Sequence, residues 1–370
     1  MSATWEALRR GVIVLLPLLG GIVVAMILIN LVLRAEGVTL QEVWDALYSG
    51  AWERSSSRAR VMRNLLPLLL CSAGLLITFS SGLWNIGIEG QLTMGAVGAS
   101  LGALFWELPN RELQLFAQMG TAVVAGGAWA LLAGILRTRG GVNEIFGGVA
   151  LNFIAQLFSA YLLAGPWSPP TGGTGSRTLP FDQEKLLPAA IVERAFVSYE
   201  AIAIAVVGFL LVAYILYFTR FGLQLKAIGR SMASAEALGI PVERNIWLSM
   251  ALCGALSGLG GAIIVLHPPT GQLQANASGG IGFLALLVVL LASIRPWLVP
   301  IIAFAFAFLN TGAQRVESSL RLDSSLVNVL QGVLVLAVLL FDGVRQQIEH
   351  QQERRRVAAQ SASMAEDQQL

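Results

Sequence analysis

At 370 residues, with 55% hydrophobic and 12% charged side chains and a mean hydropathy of +0.70, the chain is too apolar to be a soluble protein built on one core. A net charge of +2 leaves no footprint for a nucleic-acid polymer, and two histidines with two cysteines, Cys71 and Cys253, both inside apolar runs, supply no zinc or haem site. What remains is a polytopic membrane protein, whose spans need about 20 apolar residues each and whose backbone must satisfy its own hydrogen bonds, which selects helices.

Arg9 and Arg10 precede a first span, Gly11 to Leu33, with the N-terminus expected in the cytoplasm. Val38 to Gly50 has helix-like spacing of Val43, Trp44 and Leu47 and is expected along the membrane surface. The 34 to 60 loop carries four arginines, which argues against the external side that the span count gives it. A second span covers about Val61 to Ser80. Ser81 to Ser100 then reads as a break, because glycines with Asn85, Glu89 and Gln91 interrupt an apolar region. Non-helical backbone at membrane depth is tolerated only against protein or a cavity, and a carboxylate there is a candidate for function. A tight turn with Glu89 near the head groups is the other reading.

The third span is taken as residues 91 to 106, the fourth as Leu115 to Leu136, ending at the inward signal of Arg137 and Arg139. Asn143 and Glu144 open a fifth span ending near Gly165; an N-cap and a dipole partner explain them as well as substrate contact does. Asn152 and Gln156, four apart, share a helical face and either glue helices or line a path. Residues 166 to 198 read as an external loop whose TGGTGSR has no lysine after its glycines and is no phosphate loop. Tyr199 to Phe218 is the sixth span.

The stretch Thr219 to Asn245 is amphipathic and carries Arg220, Lys226, Arg230 and Arg244, so it is expected inside the cell. Ser231 reads as an N-cap, Met232 to Leu238 as a helix of about two turns, and Gly239 with Ile240 and Pro241 as its stop. So short a helix needs anchoring, either as an ordinary loop or as a dock for a partner. Ile246 to Leu266, Ile281 to Ile294, Trp297 to Thr311 and Leu326 to Phe341 complete about ten spans. His267 to Gly280 is a second polar, glycine-bearing interruption, and Gln314 to Ser325 an outer turn. Residues 1–342 form one transmembrane domain; the basic tail 343–370 is expected to be disordered and cytoplasmic. The fold class is therefore all-α, a helix bundle of 8 to 10 spans with interrupted membrane segments. A break flanked by short spans in each half is what an inverted repeat would produce.

Several of these stretches together resemble the membrane-spanning subunits of ATP-binding-cassette importers, in the superfamily handling ribose-type sugars, branched-chain amino acids and nucleosides. Gly222 and Leu223, Lys226 with Ala227 and Gly229, and Ala235 to Ile240 look like that family's cytoplasmic coupling loop, with Ser231 and Met232 where Asn-Pro is common. WNIGIEGQ (Trp84 to Gln91) and GGVNEIFGGVALNFIA (Gly140 to Ala155) resemble the nucleoside branch, and GFLALLVVLLA from Gly282 matches the family, with Ser293 near where a glycine is common.

The resemblance implies a non-catalytic permease subunit in the cytoplasmic (inner) membrane with both termini inside. It implies no cofactor of its own, a cytoplasmic ATPase partner that holds ATP and Mg²⁺, a second and related permease subunit, and an external substrate-binding protein. Coupling to the ATPase would run through Gly229, Ser231, Ala235, Glu236, Ala237 and Gly239. Asn85, Glu89, Gln91, Asn143, Glu144 and Asn152 are the candidates for contact with a small-molecule cargo, a nucleoside first and a simple sugar as the alternative, since amides and carboxylates match either. An ion-coupled secondary transporter is the rival from another class, with Glu89 and Glu144 as its titrating groups.

Overall fold

The structure is a computed structural model that describes residues 37–169, 175–192, 195–269 and 271–320, with scattered residues between 20 and 34 and between 329 and 340. The first and tenth expected spans and the tail lie largely or wholly outside the described residues.

Helix α1 spans Leu40–Tyr48. Its start is a capping box: the Thr39 amide and hydroxyl donate to the Glu42 carboxylate, and Glu42 N–H donates to Thr39 Oγ1. These bonds hold the exposed Glu42 carboxyl below its usual range. Val43, Ala46 and Leu47 form the buried stripe, while Trp44 is exposed, so the tryptophan belongs to the other face. A π-turn, Ser49–Glu53, leads into helix α2, Ser55–Ser80. α2 starts before the expected Val61 because Ser55 and Ser57 pair with Arg58 and Arg60, giving a polar first turn that apolarity alone does not reveal.

Helices α3 (Ile88–Phe105), α4 (Arg111–Thr138), α5 (Glu144–Ala164) and α6 (Tyr199–Phe218) follow. Ser198 caps α6 by accepting from Ala201 N–H at 3.2 Å. Next come α7 (Arg220–Arg230), α8 (Met232–Ala237), α9 (Val242–Leu266), α10 (Ile281–Leu291) and α11 (Val299–Leu320). Among the described residues, α2, α4, α5, α6, α9 and the stretch Pro296–Leu320 are long and apolar enough to cross a membrane. The third and eighth expected spans are the short helices α3 and α10, about 27 and 17 Å long. α11 covers Gln314 to Leu320, the described part of the outer turn expected at Gln314 to Ser325, since these residues contain neither glycine nor proline.

Helix α9 packs on α4, α3 and α2. The contact is backbone to backbone: a methyl at Gly95 or Gly126 would run into Gly258 or the Gly254 carbonyl. Small residues four apart on α9 thus set the helix spacing where lipid supplies no hydrophobic drive between helices. α5 and α6 present Phe153, Leu157, Tyr161, Val207, Leu210 and Phe218 outward, an apolar belt suited to lipid. The loop expected outside contains a two-stranded antiparallel sheet, β1 (Ala190–Val192) and β2 (Ala195–Val197), with Ala190 opposite Val197.

Candidate functional site

The expected break from Ser81 to Ser100 is shorter in the structure: only Ser81 to Gly87 is non-helical, and Glu89 and Gln91 lie in the first turns of α3. Glycine did not unwind this helix because its glycines serve close packing, as Gly95 does against Gly258. The joint is internally paired. Asn85 and Gln91 exchange carboxamide hydrogen bonds of 3.1 and 2.9 Å, and Asn85 Nδ2 lies 3.1 Å from Cys253 Sγ, near the middle of α9. Asn152 accepts from Gly90 N–H at 2.7 Å and donates to the Ile86 carbonyl at 2.9 Å. Asn152 thereby pairs one backbone donor and one backbone acceptor at the turn.

Glu89 reaches across to the second interruption. Its Oε1 and Oε2 accept from Gly280 N–H (3.0 Å) and Gly282 N–H (2.7 Å), capping α10 from a helix 191 residues away in sequence. A carboxylate at a helix N-terminus meets two orphan donors and the positive end of the dipole, which is how a charge can sit 1% exposed in a membrane protein. The N-termini of the two short helices therefore meet beside the middle of α9.

Asn143 and Glu144 stand apart from this group. Asn143 Oδ1 accepts from Ile145 N–H and caps α5, and Glu144 pairs with Arg137 at 2.9 Å. Asn85, Glu89, Gln91 and Asn152 are thus brought together, and Asn143 and Glu144 form the opening of α5.

Sequence reasoning passed over the residues that line open space. A cavity of about 250 Å³ lies between α2, α9, α11 and residues 272–281, lined among others by Arg63, Asn64, Gln272, Gln274, Asn276 and Asn310. The signal was present in QLQAN, an alternation of amides within the second interruption, but no neighbouring acid drew attention to it. Arg63 also borders a second cavity with Arg60 and His267. Burial holds the His267 imidazole below its ordinary range, against a hydrogen bond to the Pro268 carbonyl, and Arg63 adds to the lowering. The cavity wall is stitched to the loop around 176–181: Thr178 N–H donates to the Leu273 carbonyl, Ala275 N–H to that of Ser176 and Phe181 N–H to that of Gly271.

On the expected cytoplasmic side, Ser231 caps α8 by accepting from Ser234 N–H, and Gly239 takes a left-handed φ of 78° at its stop. Ala235 is buried while Glu236, Ala237 and Leu238 face out, Leu238 at 79% exposure. The structure adds α7, a separate amphipathic helix that the sequence reading had merged into one stretch. At the end of α7, a methyl on Gly229 would strike the Ser80 carbonyl, and Gly82 lies against Gly229 in turn.

Residues 57–339 match the family described as branched-chain amino acid transport system, permease component. The chain belongs to this family of membrane transport permeases. The permease is 26% identical over 83% of its length to a guanosine ABC transporter permease of Bacillus subtilis, covering 88% of that protein. It is 30% identical to a glucose ABC transporter permease of Haloferax volcanii, covering 75% of each chain. It is 26% identical to a nucleoside ABC transporter permease of Lactococcus lactis, over 88% of this chain and 90% of that one. A multi-pass membrane permease is the family reading, and the apolar helices agree with it.

Proposed function

We propose that this permease forms the translocation path of an ATP-binding-cassette importer for nucleosides. Catalysis belongs to a separate cytoplasmic ATPase, which binds ATP and Mg²⁺ and docks on α8 through Ser231, Glu236, Ala237 and Leu238. A second, related permease subunit completes the path, and an external binding protein delivers cargo to the loop at 175–198. Both termini lie in the cytoplasm.

The observation that carries this reading is one connected series of contacts. Gly229, next to α8, touches Ser80 and Gly82. The joint that follows leads into Glu89, Glu89 holds Gly280 and Gly282, and the segment ending there walls the amide-lined cavity. Movement of α8 would reach the cavity through packed backbone rather than through a pliable loop. Asn85, Gln91 and Asn152 brace that series, and Asn143 with Glu144 seats the helix carrying Asn152.

The nucleoside assignment rests on the guanosine and nucleoside relatives together with a cavity wall rich in paired donors and acceptors. A simple sugar is the second reading, favoured by the glucose relative. The test is uptake of radiolabelled guanosine into vesicles carrying the full complex, with and without ATP, competed by glucose and ribose. ATP-dependent uptake blocked by nucleosides and not by sugars is expected. Competition by glucose alone would transfer the cargo to the sugars, and uptake without ATP would overturn the machine.

A further inference from the structure

The amide-lined cavity carries an uneven charge. Asn64, Gln272, Gln274, Asn276 and Asn310 are neutral, Arg63 is cationic, and no carboxylate is among its lining residues. Asn64 donates to Thr311 Oγ1 at 3.1 Å. Gln272, Gln274, Asn276 and Asn310 carry no side-chain hydrogen bond among the described residues, and Arg63 has neither a hydrogen bond nor an ion pair among them. Its nearby charge is Arg60, of the same sign, and His267 lines the adjoining cavity with both arginines.

A guanidinium left in this state is a planar fork of donors without an acceptor. A cationic cargo would be repelled. A bare sugar would use the amides and leave the fork unmet. Two adjacent acceptors in one plane satisfy it, and the O6 and N7 edge of a 6-oxopurine presents that pair, whereas adenine offers an acceptor beside a donor.

Resting on the nucleoside reading above, we infer that the cavity is a nucleoside subsite in which Arg63 selects 6-oxopurines, guanosine and inosine, over adenosine, with the carboxamides of Gln272, Gln274 and Asn276 taking the ribose hydroxyls. Arg63 is then a specificity-determining residue. A glutamine in its place presents one donor and one acceptor, the complement of adenine N7 and its 6-amino group.

The experiment compares uptake of labelled guanosine and adenosine by the complete complex in vesicles, wild type against Arg63→Gln and Arg63→Lys. The wild type favours guanosine and inosine by about tenfold, Arg63→Gln brings that ratio to unity or reverses it, and Arg63→Lys reduces it while uptake persists. A gain in adenosine uptake is a readout that a merely damaged protein would not give. Unchanged ratios in both variants overturn the inference but leave nucleoside transport standing. Binding of the two labelled nucleosides to the purified wild-type complex checks the ratio without any variant, and equal affinities also overturn it. A wild-type complex that takes up no nucleoside at all removes the functional reading, a separate failure.

Discussion

The two interruptions share one sequence signature, glycines with amides inside apolar runs, and put it to opposite uses. In the first, Ser81 to Gly87 and the opening of α3, every amide finds a partner: Asn85 with Gln91, Asn152 with Gly90 and Ile86. In the second, Gln272, Gln274 and Asn276 face a cavity. Buried polar groups left unpaired are costly, so the first set holds structure together and the second, turned to open space, is free to meet something else. Glu89 joins the two.

The largest test of that contrast is Glu89→Ala. It removes two charge-assisted bonds and leaves the Gly280 and Gly282 amides without acceptors, at a cost of about 3–5 kcal/mol. Thermal melting of the detergent-purified complex should fall and ATP-driven uptake should be lost; a variant melting like the wild type would mean the joint is not held there. Asn152→Ala comes next. With Gly90 N–H and the Ile86 carbonyl unpaired, about 2 kcal/mol is expected in the same melt.

Gln272→Ala inverts the pattern. Stability should stay within about 0.5 kcal/mol while uptake falls several-fold, and a loss like that of Asn152→Ala would show the second interruption to be closed as well. The smallest effect is a control away from both. Ser293 sits at φ 49° in the turn after α10, so Ser293→Gly should raise stability by about 0.5–1 kcal/mol without changing transport.

Helices were legible where a cap and a long apolar run coincide. Tyr199–Phe218 matches residue for residue, and Asn143 and Ser231 cap the helices they were expected to open. The ends of α2 and α4 lie beyond the expected limits because polar turns continue a helix without any apolar signal. Glu89 stood out as a lone carboxylate, but its partners are 191 and 193 residues away, and nothing local encodes them. The helicity of Glu89 was hidden by glycines, which read as breakers in water and as contact points between helices in lipid. The cavity was missed because its amides lacked the charge that draws attention in a membrane sequence. Arg63 had been counted within an ordinary span.

The seam between residues 176–181 and 271–275 includes three main-chain bonds, and Thr178 Oγ1 accepts from Leu273 N–H beside them. Main-chain bonds are indifferent to the side chains they carry. The exposed side chains of this loop can therefore be replaced while its grip on the cavity wall survives, so the loop surface and the cavity lining are separable. Changes to the side chains on one edge of the seam leave the other edge held in place.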